Sequence, residues 1–152
     1  MSDFILNYVD SVVLVTLDNV PNTSESLAKI FDAIGVSKIN VDMICQTSPY
    51  KNKINLSFTI DQGDLSKTLV VVGQLKDEIT NLVTEVSMGN YKFTIFSEIL
   101  KTESGIAARL FKTLAQNNLQ VKLITTSDVE ISLLFDNINV DGIMNVLNKE
   151  FN

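Results

Sequence analysis

Residues 27–34 read Leu-Ala-Lys-Ile-Phe-Asp-Ala-Ile and residues 107–114 read Ala-Ala-Arg-Leu-Phe-Lys-Thr-Leu, two versions of one amphipathic segment held at a constant offset of 80. The offset continues beyond them, pairing Ile39, Val41, Met43 and Ile44 with Leu119, Val121, Leu123 and Ile124, so helix and following strand repeat as one unit. A period of this length exceeds that of solenoid repeats and fits two copies of a small α+β domain. Two similar bodies in one chain point to a binding or regulatory module rather than to a single catalytic cleft.

A chain of 152 residues with 45% hydrophobic content fills one moderate core or two small ones, and units this small sit near the lower limit of independent stability. The two copies are therefore expected to lean on each other. Twelve basic against eighteen acidic residues give a net charge of −6, which disfavours nucleic acid and anionic membrane as partners, and no basic stripe with interleaved aromatics offsets it. The opening residues lack a basic leader, and no apolar run approaches the roughly 18 residues of a membrane span, so a soluble cytoplasmic protein is expected. The single cysteine, Cys45, lies in an apolar run and reads as a small buried hydrophobe.

The chain has no histidine, which removes Ser-His and Cys-His nucleophiles, imidazole bases and most transition-metal sites. The six glycines stand singly, so neither type of glycine-rich phosphate loop is present. Asp61 and Asp64, in Asp-Gln-Gly-Asp, form the best carboxylate cluster and could hold a cation through oxygens. Their position between a strand-like and a helix-like run favours a turn followed by a helix cap. No catalytic residue, metal or cofactor is assigned.

Along the chain, Ser11 to Leu17 reads as a buried strand, and Ser24 as the cap of a helix with Leu27, Ile30, Phe31 and Ile34 on one face. Ile39 to Cys45 and Ile54 to Ile60 read as strands joined by the polar stretch 46–53. Asp64 opens a second helix, and Leu82 to Val86 forms a fourth strand. This βαββαβ order lets two helices cover one face of a four-stranded antiparallel sheet, the ferredoxin-like arrangement. The second copy supplies strands at Tyr91–Phe96, Val121–Thr125 and Val129–Phe135, with helices over Gly105–Leu114 and from Val140, but ends without a fourth strand. The spare apolar segment Phe4–Tyr8 is expected to complete that sheet. The expected organisation is one unit over 9–88, inserted into a second made of 89–152 plus 3–8, with Ser87-Met88-Gly89-Asn90 a tight turn between them. Phe31 and Phe111 are read as core residues.

Val15-Thr16-Leu17, Val20-Pro21, Ala28-Lys29-Ile30-Phe31, Ile39-Asn40-Val41-Asp42-Met43-Ile44, Gln46 and Ser57-Phe58-Thr59 resemble the regulatory tandem ACT region of aspartokinases. Gly105 to Phe111 and Leu123-Ile124-Thr125-Thr126-Ser127-Asp128-Val129-Glu130-Ile131-Ser132 resemble its second ACT unit. The likeness spans 9–152 and leaves out the kinase domain, so it implies an excised regulatory region or a separately translated small subunit that does not phosphorylate aspartate alone.

The resemblance implies that lysine or threonine binds between ACT units of a homodimer and controls an aspartokinase catalytic domain or subunit by feedback. On matched positions it places the effector against Asn22, Glu25, Ser26 and Leu27, against Asn40, Val41 and Asp42, and against Gln46, with Gln120 and Val121 reaching in from the partner. A zwitterion needs donors for its carboxylate and acceptors for its ammonium, and first-turn N–H groups with nearby side-chain oxygens supply both. The family's Asp-x-Pro-Gly loop is replaced by Asn22-Thr23-Ser24-Glu25. Taken without the resemblance, Asn22 and Asn40 are turn residues and Leu27 and Val41 core residues, whereas Asp42 within an apolar run calls for exposure, pairing or a ligand. Two other readings stand beside the regulatory one: a freestanding ACT-like sensor of a different small molecule, and a dimerisation module that has lost its ligand.

Overall fold

The computed structural model describes residues 3–136 and 138–152. They divide into two compact units: Ser11–Gly89, and the described residues up to Asp10 together with Asn90–Asn152.

The elements run β1 (Ile5–Pro21), α1 (Ser24–Val36), β2 (Ile44–Gln46), β3 (Lys53–Asp61), α2 (Leu65–Glu78), β4 (Val83–Phe96), α3 (Ile106–Gln116), β5 (Leu123–Thr126), β6 (Glu130–Phe135) and α4 (Val140–Phe151). Short 3₁₀ turns precede α2 (Gln62–Asp64) and follow β4 (Glu98–Lys101).

In the Ser11–Gly89 unit the strand order is β2-β3-β1-β4. β3 is antiparallel to both its neighbours, with Val15 opposite Phe58 and Phe58 opposite Ile44. Inward residues alternate along β1 (Val13, Val15, Leu17) and β3 (Ile54, Leu56, Phe58, Ile60), as period-two geometry requires. They meet Ile30 and Ile34 of α1 and Val71, Val72 and Leu75 of α2, so both helices cover one sheet face. In the other unit the order is β5-β6-β4-β1, again with α3 and α4 on one face. Its core joins Phe93, Ile95, Ile131, Leu133 and Phe135 to Leu110, Leu114, Ile143, Leu147 and Phe151. Phe4 enters this second core, its ring 4.9 Å from that of Phe151, and the Ser97 hydroxyl donates to the Asp3 carbonyl. The fold is thus two βαββαβ units, the first inserted in the second.

The repeat extends to the helix ends. Lys38 and Asn118 both take left-handed backbone (φ 55° and 54°), and the following N–H groups of Ile39 and Leu119 return to the carbonyls of Ile34 and Leu114. Such a left-handed cap satisfies carbonyls that the helix leaves open.

Several expectations are corrected. The segments expected at Phe4–Tyr8 and Ser11–Leu17 merge into one strand that starts at Ile5, those at Leu82–Val86 and Tyr91–Phe96 into one that starts at Val83, and 87–90 is not a turn. Ser11 (φ 56°) in β1 and Gly89 (φ 71°) in β4 are left-handed residues between extended neighbours, which kinks a strand without reversing it. Thr23, not Ser24, caps α1. Phe111 is 45% exposed, because the α3 stripe is Ile106, Leu110, Thr113 and Leu114 and Phe111 lies one residue past it. Among the described residues no helix is long and apolar enough to cross a membrane.

Candidate functional site

At the end of β1, the Thr23 Oγ1 accepts from the Ser26 N–H at 3.1 Å and donates to the Ser26 Oγ at 2.9 Å, while the Thr23 carbonyl accepts from Leu27 N–H. The first helical turn therefore keeps the N–H groups of Ser24 and Glu25 for an outside acceptor. The Asn22 N–H donates to the Asn52 carbonyl at 3.0 Å, fastening this loop to the β2–β3 hairpin.

Beside it lies a cavity of about 230 Å³ lined by Pro21, Glu25, Ser26, Lys29, Lys53, Glu78, Ile79 and Thr80. It presents two carboxylates and two ammonium groups, and one pair, Lys29 and Glu78, stands 3.7 Å apart. Of these, only Glu25 and Ser26 are among the residues expected at the effector site; the polar newcomers are Lys29, Lys53, Glu78 and Thr80. They arrive from three different elements, and nothing in their sequence spacing links them.

The other predicted residues stand elsewhere. Asp42 donates its backbone N–H to the Thr59 carbonyl, and Thr59 is opposite Leu14 on β1. Asn22 follows Leu14 by eight residues, so about 25 Å of strand separates Asp42 from the start of α1. Asn40 gives its backbone N–H to the Asp64 carboxylate. Gln46 is exposed on β2, opposite Leu56. Leu27 and Val41 are half-buried against the core of their unit, and Val121 against that of the other. Gln120 lines a separate cavity of about 530 Å³ with Asn117, Asn118, Asp136 and Asn139.

The Asp61–Asp64 turn is occupied by its own contacts. The Asp61 Oδ1 accepts from the Gly63 N–H at 2.7 Å, and Asp64 pairs with Lys67 at 2.6 Å. Lys67 also donates to the Lys38 carbonyl, so a clamp ties the start of α2 to the end of α1. The side-chain bond to Lys67, aided by the Asn40 N–H, holds the Asp64 carboxyl below the usual carboxylate value. Cys45 is half-buried rather than fully enclosed.

The profile of the ACT domain family matches residues 15–74 and 93–151. An aspartokinase from a Bacillus species (strain MGA3) is 31% identical over 144 residues, covering 95% of this chain and 35% of that protein. The chain thus spans about a third of the length of this curated relative. The regulatory subunit of aspartate kinase from Thermus flavus superposes with a TM-score of 0.89 at 20% identity, all of each chain being covered. Aspartate kinase from Synechocystis superposes with a TM-score of 0.90 at 25% identity, covering 96% of this chain and 26% of that one.

Proposed function

The chain belongs to the ACT domain family, and from that premise we propose that it is the regulatory region of an aspartokinase, binding lysine or threonine and passing occupancy to a catalytic domain or subunit. The cavity at the start of α1 carries the reading. Its Glu25 and Glu78 match an ammonium group, and its Lys29 and Lys53 match a carboxylate. A volume of about 230 Å³ suits a ligand smaller than the drug-sized molecules that fill 300–1,000 Å³.

The separation of the two groups of site residues supports a homodimer. A small ligand that touches both Glu25 and Asp42 takes them from two chains, since about 25 Å of strand divides these two within one. Binding that favours one arrangement of that dimer over another is then coupled to whatever the dimer holds, and the coupling is reciprocal. In this reading the protein acts in the cytoplasm, in the synthesis of lysine and threonine.

Calorimetric titration of the full chain with lysine and with threonine tests the reading. Saturable binding of one of them, weakened about tenfold by Glu25→Gln through loss of a charge-assisted contact, is the expected result. A folded protein that binds neither overturns it, and binding of a different small molecule alone would instead favour a freestanding sensor.

A further inference from the structure

The two repeats differ in the connection between their second and third strands. Six residues (47–52) join β2 to β3, whereas three (127–129) join β5 to β6. The short connection is Ser-Asp-Val and carries a carboxylate. The longer one brings Tyr50 and Lys51 and leads into Lys53, in a chain whose net charge is −6.

This added hairpin frames a hollow of about 330 Å³, lined by Thr47, Ser48, Tyr50, Lys51, Lys53 and Asn55 and by Asn19. No carboxylate lines it. Among the described residues neither lysine is paired with a carboxylate, and Lys51 instead lies 5.3 Å from the Tyr50 ring centroid. Thr47 Oγ1 already accepts from the Asn55 N–H at 2.9 Å, which leaves its hydroxyl proton to give.

The hollow is also held in shape. Tyr50 and Lys53 exchange both backbone hydrogen bonds at 2.9 Å, and Lys51 and Asn52 (φ 50° and 60°) make the two-residue turn between them left-handed. Asn19, left-handed at the β1 irregularity, donates its amide to the Asn81 carbonyl at 3.2 Å, and the Asn52 carbonyl accepts from Asn22. A rigid rim of donors and two cations, free of acidic groups, is complementary to negative charge.

We infer that the β2–β3 hairpin of the Ser11–Gly89 unit is a binding site for a small multiply charged oxyanion, a phosphate-bearing or carboxylate-bearing metabolite held by Lys51, Lys53 and the surrounding hydroxyl donors. The inference stands whether or not an amino acid occupies the cavity at α1. Lys53 lines both hollows, so Lys51, which lines only this one, is the residue to change.

The test is to titrate the full chain at low ionic strength with pyrophosphate and, separately, with citrate, following the backbone amide resonances of residues 47–55. Saturable shifts with a dissociation constant of about 1 mM or tighter, weakened about tenfold by Lys51→Gln and lost in Lys51→Glu, support the site. A response to pyrophosphate alone assigns it to phosphate esters, and a response to citrate alone to polycarboxylates. Titrating lysine and threonine into Lys51→Glu separates this site from the α1 cavity, because amino-acid binding there stays unchanged if the two are distinct. No saturation by either anion, or binding that survives Lys51→Glu in a folded protein, overturns the inference.

Discussion

Asp64 was legible in the sequence as the start of a helix, but its partners were not. Its carboxylate accepts from Lys67, three residues on, and from the backbone of Asn40, which lies in the connection between α1 and β2. Both partners favour the charged form, so the folded carboxyl holds its proton less tightly than the ordinary value of 3.8. The unfolded chain then binds more protons between the two values. The stabilising contribution is whole above 3.8 and drains away as pH falls through the lower folded value. Urea midpoints measured from neutral pH downward should show wild type above Asp64→Asn near neutrality, with the difference closing in acid. The α1 cavity shows the limit of reading residues singly. Glu25 and Ser26, expected at the effector site from likeness to a known loop, line it, while Lys53 and Glu78 join it only once β3 and α2 are folded beside it.

For the elements, apolar periodicity located the four α-helices, because each buries one stripe, whereas capping chemistry was less exact and placed the start of α1 on Ser24 instead of Thr23. The long strands were harder. A glycine amid polar residues at 87–90 has the composition of a turn, yet β4 continues through it, and the local signal for a reversal is the same as that for a kink. What decides is pairing with β1 and β6, which sequence spacing does not display. Gly89 at φ 71° occupies a conformation costly for branched side chains, so Gly89→Val is expected to lower stability by about 1–2 kcal/mol in equilibrium urea unfolding. Ser11→Gly, at φ 56°, should not destabilise, since glycine meets no such penalty. Phe111 taught a related lesson: the repeat matches it to Phe31, but a shared letter at a shared offset does not guarantee a shared face.

The whole molecule follows from the duplication and from the way its first strand is divided. β1 supplies Leu6 to one core, beside Phe4 just before it, and Val13, Val15 and Leu17 to the other, so the inserted unit is continuous in sequence while its companion is assembled from both ends of the chain. Phe4→Ala removes a ring that is 7% exposed and tilted at 53° against that of Phe151. It should cost about 3–5 kcal/mol, read as loss of protection in α4 by hydrogen exchange, although the two residues are nearly a chain length apart. The amino-acid site is proposed to lie between chains, drawing on the start of α1 in one and on the 40–46 segment in the other. Hydrogen–deuterium exchange of the full chain, with and without saturating lysine or threonine, tests this most directly. The account predicts slowed exchange at both 22–27 and 40–46 with the effector that binds; slowed exchange confined to other segments, or none at all, would contradict it.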